Sequence, residues 1–154
     1  MPYDPTTHQA LTFFDALPRF ETGADTPRDY LERCLEVIDA REPVVQAFVS
    51  LNLESARSAA DESSERWRRG RALSPVDGMP ISIKDLLETK DMPTQMGCEA
   101  FAGHFPRRDN AAVWALRDAG AVILGKTFGS LTALVGATGW LPVDLESSPS
   151  LSLS

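Results

Sequence analysis

The feature that most constrains this chain is a run of four apolar residues, Ala-Val-Ile-Leu at positions 121–124, held between Gly120 and Gly125. The run is too short for a helix, so it predicts a fully buried strand. The stretch before it has helical spacing: Asp109 is expected to cap a helix carrying Val113, Leu116 and Ala119, which Gly120 closes. A helix that leads directly into a buried strand is a building unit of an α/β domain.

The same alternation runs upstream. Residues 9–17, with Leu11, Phe14 and Leu17 on one face, predict a short helix ended near Pro18. A second helix starts at Thr26, a capping residue, with Pro27 at its first position and Asp29 in its first turn. Leu31, Cys34, Leu35 and Ile38 continue it at helical spacing, and Pro43 is expected to stop it. Residues 44–51 are rich in β-branched and aromatic side chains and predict a strand. Residues 54–69 return to a helix that packs through Ala56, Ala59, Ala60 and Trp67. Glu62–Arg66 and Glu65–Arg69 pair on its outer face, and Gly70 stops it. A loop through Ser74, Pro75 and Gly78 then leads to a strand over residues 79–84. The expected fold class is α/β, with helices packed around a central, mainly buried sheet.

Charge and composition remove several functions. With 15 basic and 22 acidic residues the net charge is −7, which predicts no nucleic-acid partner. Cys34 and Cys98 lie far apart without C-x-x-C spacing, and His8 and His104 each lack a spaced partner. A disulfide scaffold, a metal site and a Ser-His-Asp triad are therefore not expected. Residues 1–10 have no basic stretch before an apolar run, and nothing approaches the apolar length of a membrane span. The expectation is a cytoplasmic protein without a membrane partner.

Gly120 to Thr127 matches the phosphate-loop pattern G-x-x-x-x-G-K-[ST] letter by letter. Such a loop needs a strand before it, a helix after it, and residues between that can wrap a phosphate. Here a helix precedes and the four middle residues are the strand itself. Nucleotide binding is the weakest of the alternatives, and Lys126 and Thr127 are expected to end a strand.

Asp77-Gly-Met-Pro-Ile-Ser-Ile-Lys-Asp85 places Lys84 at the C-terminal end of a strand. Alternation puts Ser82 and Lys84 on one face and Ile81, Ile83 and Asp85 on the other, so Asp85 is not the expected partner of Lys84. To act as a base near neutrality, Lys84 would need its pKa lowered by about 3 units, or about 4 kcal/mol, through enclosure of its face. Gly78-Met-Pro-Ile-Ser-Ile-Lys-Asp85, Met92-Pro-Thr94, Gly97 and Ala119-Gly-Ala-Val-Ile-Leu-Gly-Lys-Thr127 stand in an order and spacing that resembles the amidase-signature family. A weaker match through Glu42-Pro43 and Ala47-Phe48-Val49 extends the likeness upstream, and the expected extent of the family domain is residues 1–127.

That resemblance implies cleavage of an amide C–N bond by a Ser-cisSer-Lys triad, with Lys84 as the lysine, a small-molecule amide as substrate, and no cofactor or metal. It also implies two serines from a glycine-serine-rich segment further along. This chain shows no such segment. Phe128-Gly-Ser-Leu-Thr132 follows the Gly-Lys-Thr strand, and Ser147, Ser148, Ser150, Ser152 and Ser154 have no glycine among them. Residues 128–154 are thus expected to be a divergent, poorly ordered tail, the mark of truncation or a shifted reading frame. Cys98 stands where the family commonly has serine, and Asn110 where it commonly has a small residue. The chain alone is expected to be inactive. The alternative is a non-catalytic remnant or interaction module that associates with itself through incomplete sheet edges.

Overall fold

A computed structural model describes residues 12–128. Thr12 caps a 3-10 turn, Phe13–Ala16, that runs into helix α1, Leu17–Thr22. Pro18 therefore begins a helix rather than ending one. Its missing N–H falls in the first turn, where no intrahelical partner exists, and Gly23 at φ 71° makes the stop instead. The part of the expected first helix that precedes Thr12 lies outside the described residues.

Helix α2, Pro27–Val45, opens as its sequence requires. The Thr26 hydroxyl accepts from the Asp29 amide at 3.0 Å and donates to the Asp29 carboxylate at 2.8 Å. Its end corrects the expectation. Pro43 lies inside the last turn, and the helix closes at Gln46, whose N–H still donates to the Glu42 carbonyl at 2.9 Å and whose left-handed backbone then turns the chain out of the helix. A proline this late costs one ladder bond without breaking the turns before it. Val44 and Val45 are consequently exposed helix residues, and strand β1 is shortened to Phe48–Leu51.

Asn52 caps helix α3, Leu53–Arg68, which buries Ala56 and Ala60. Strand β2 covers Pro80–Lys84, helix α4 Ala111–Asp118, and strand β3 Val122–Thr127. Asn110, not Asp109, caps α4, by accepting from the Ala112 amide at 3.0 Å. The Asp109 carboxylate is drawn elsewhere: it accepts from the Lys90 amide at 2.8 Å and lies 3.1 Å from Arg117 Nε.

The sheet order is β1-β3-β2. The helical crossover through α4 makes β2 and β3 parallel, whereas β1 runs antiparallel to β3. On one face Leu31 and Leu35 of α2 and Ala56 and Ala60 of α3 pack on Val122 and Leu124. On the other, Val113 of α4 and Met92 pack on Ile83 and Ile123. A third cluster ties α1 to α2 and α3: Phe13 meets Tyr30 edge-on at 5.3 Å, and Phe20 meets Trp67 at 5.8 Å.

One irregularity matters for function. Ile81 pairs with Ile123, but Ser82 pairs with Gly125, so Leu124 is an extra residue in β3. Strict alternation would put Lys126 on the α2–α3 face with Val122 and Leu124. The bulge reverses the parity and turns Lys126 to the face of Ile123 and Ile83. Gly125 is required beside it, because a Cβ there would collide with the Ser50 carbonyl oxygen of β1.

Candidate active site

Lys84 is the last residue of β2, and its side chain is exposed on the same face as that of Ser82. Its neighbours Ile83 and Asp85 are buried on the other. The alternation read from sequence is therefore what the strand adopts. The main chain around Lys84 is tightly tied. Its carbonyl accepts from the Leu86 amide at 2.7 Å and the Leu87 amide at 3.0 Å, while the Asp85 amide donates to the Thr127 carbonyl at 2.8 Å.

Asp85 turns away from Lys84. Both carboxylate oxygens accept from the Gln95 amide at 3.2 Å, and one lies 3.4 Å from Lys126 Nζ. Lys126 is fully buried. Its ammonium donates to the Leu87 carbonyl and the Thr94 hydroxyl, each at 2.7 Å, and to the Pro93 carbonyl at 3.4 Å. Burial pulls the Lys126 pKa below the ordinary lysine value, and the charge of Asp85 opposes that pull. The described residues thus place two lysines at adjacent strand ends in opposite surroundings, one open and one enclosed. No enclosure forms around Lys84 among the described residues.

The Lys126 cluster was missed in the sequence, although a signal for it was present. A lysine is almost never buried without partners, and this one continues an apolar strand directly after Gly125. Its acidic partner, Asp85, is the buried-face neighbour of Lys84.

The phosphate-loop letters all have other occupations. Gly120 makes the turn between α4 and β3 at φ 91°, and a Cβ on it would sit 2.5 Å from Asp77 Oδ1. Residues 122–127 are strand, and Lys126 points into the protein. That leaves no curled backbone to wrap a phosphate.

Among the described residues no group of three or more His, Cys, Asp or Glu side chains is placed to hold a metal ion. His104 is exposed with its ring 6.2 Å from that of Phe101, and His8 lies outside the described residues. Cys34 sits half-buried on α2, where burial pushes its thiol pKa up, whereas Cys98 is exposed. The serines at 147, 148, 150, 152 and 154 also lie outside the described residues. No described helix is long and apolar enough to cross a membrane.

The family model described as Amidase matches residues 29–139, a span that includes both Lys84 and Lys126 and continues beyond β3. The chain belongs to the amidase family. It is 41% identical over 116 residues to the glutamyl-tRNA(Gln) amidotransferase A subunit of Chloroflexus aggregans, covering 75% of this chain and 24% of that one. The corresponding protein of Rhodopirellula baltica is 32% identical over 143 residues, covering 88% of this chain and 28% of that one. Among solved structures, the native peptide amidase from Stenotrophomonas maltophilia superposes with a TM-score of 0.71 at 32% identity, covering 80% of this chain and 26% of that one. The architecture is accordingly an N-terminal stretch of the amidase-signature fold, and the chain spans about a quarter of the length of the relatives it matches.

Proposed function

We propose that this chain supplies the lysine-bearing part of an amidase-signature active site that cleaves amide C–N bonds, with Lys84 as the base. The supporting observation is the disposition of Lys84. It stands at the open C-terminal end of a strand, while the one carboxylate adjacent in sequence is engaged by Gln95 and Lys126. A lysine left free of its neighbouring carboxylate can be desolvated by whatever covers that face, which is what a neutral amine base requires.

In the proposed reaction a serine Oγ attacks the amide carbonyl, and its proton passes through a bridging serine to neutral Lys84. That proton then goes to the departing amine, and water releases the acyl group by the same relay in reverse. The serines and the cover over Lys84 come from sequence that the matched quarter does not include, so residues 12–128 alone do not complete the site. Relatives named glutamyl-tRNA(Gln) amidotransferase and peptide amidase mark two fates for the departing amine, transfer to an acceptor or release, while the acyl group passes to water in both. The test is hydrolysis of a simple aryl amide by this chain and by its Lys84→Ala variant, alone and mixed with the remaining three-quarters of a relative. Activity in the mixture that disappears with Lys84→Ala supports the proposal; equal activity of the two removes Lys84 from the mechanism.

A second reading, a non-catalytic interaction module, is favoured by the sheet itself. Among the described residues β1 and β2 each pair on one side only. Unpaired strand edges recruit other strands. Light scattering that finds a monomer at every concentration argues against this second reading.

A further inference from the structure

We propose that Lys126 is a positioning residue for Lys84: its buried ammonium fixes the course of the chain as it leaves β2. This deepens, and rests on, the reading of Lys84 as the base. From Asp85 to Cys98 the backbone has no helix and only one isolated bridge, Thr89 with Met92. Such a segment has few ladder bonds to hold it. Lys126 gathers it at separate points, through the Leu87 and Pro93 carbonyls, the Thr94 hydroxyl and the Asp85 carboxylate. Two of these contacts converge on Lys84. The Leu87 carbonyl held by Lys126 belongs to the residue whose amide donates to the Lys84 carbonyl, and Asp85 is the next residue along.

Burying an ammonium is costly, and an apolar side chain of equal length would fill the same space without that cost. Only a multiple donor, however, can point at several acceptors on an irregular segment. The bulge at Leu124 and the glycine at position 125 serve the same end, since without them Lys126 would face α2 and α3. Lys126 does not touch the face that Lys84 presents. It acts through the main chain.

The test uses the full chain, whose three lysines are Lys84, Lys90 and Lys126. Reductive methylation with carbon-13 gives each accessible lysine a separate resonance, and the Lys84 signal is assigned by its loss in Lys84→Arg. In Lys126→Met the Lys84 resonance is expected to move, and the Gln95 and Met96 amides to exchange about tenfold faster or more. Val113→Ala weakens the core on the same sheet face without touching the cluster, and is expected to leave the Lys84 resonance in place. If Lys126→Met does not fold, Thr94→Val removes one acceptor and is read the same way. An unmoved Lys84 resonance in the folded variant, or an equal displacement in Val113→Ala, overturns the proposal. None of these signals depends on amide hydrolysis. Should Lys84 prove not to be the base, they would still move, so the two failures are distinguishable.

Discussion

The ends of β2 and β3 lie side by side, and each carries a lysine, yet the two lysines live in opposite environments. In the parallel register Lys84 stands beside Thr127, and Ile83 beside Lys126. Lys84 is exposed; Lys126 is fully buried among four acceptors. The contrast teaches that a residue type has no fixed role on a strand end. One step of register decides whether a cation faces the opening or the core, and here that step is a single extra residue, Leu124.

If this contrast is right, removing the buried cation should cost most. Lys126→Ala leaves Asp85 buried without its cation and two carbonyls without their donor, and is expected to cost about 3 kcal/mol or more in urea unfolding. A loss under about 1 kcal/mol would mean that water can enter and satisfy the cluster. Next comes the turn that launches β3. Gly120→Ala must place a side chain at φ 91° against Asp77, which is itself held by Arg66 at 2.7 Å and 2.9 Å. About 2 kcal/mol of lost stability is expected, from left-handed strain plus displacement of that pair.

Surface charge should matter less, and in a pH-dependent way. Hydrogen bonds from Arg57, with help from Arg28, lower the Glu32 carboxyl from its ordinary 4.5 to about 2. Its folded pKa lies below its unfolded one, so its contribution is present above pH 4.5 and is lost as the pH falls toward 2. These side chains are about a third exposed, which screens the effect. Glu32→Gln should flatten the melting temperature slightly across that window, and added salt should do the same to the parent chain. The smallest stability change is expected at the other strand end. Lys84→Ala should stay within about 0.5 kcal/mol, because it removes an exposed side chain. A larger loss would break the contrast between the two lysines.

The elements were largely legible because their signals are local. Thr26-Pro27 set the start of α2, the alanines set the packed face of α3, and the short apolar run set β3. Other signals depend on context. Pro18 and Pro43 both carry a helix-breaking signal, but a proline's effect depends on where in a helix it falls. Residues 44 and 45 have strand-forming side chains, yet the last turn of α2 continued through them. Asp109 is a good capping residue that Arg117 and Lys90 drew away, leaving the cap to Asn110. At Asp109 the nearby partners outweighed a capping preference of about a kilocalorie.

Sequence by itself determined the α/β class, the family, and the outward direction of Lys84, since period-two alternation over Ile81 to Asp85 needs no partner to be known. Only the tertiary structure decided where Lys126 goes. Its direction depends on the extra residue Leu124 in the pairing of β3 with β2, and pairing between distant strands leaves no mark in a four-residue window. The letters of a phosphate loop became a turn, a strand and a buried clamp for the same reason: their neighbours in space, not in sequence, set what each residue does.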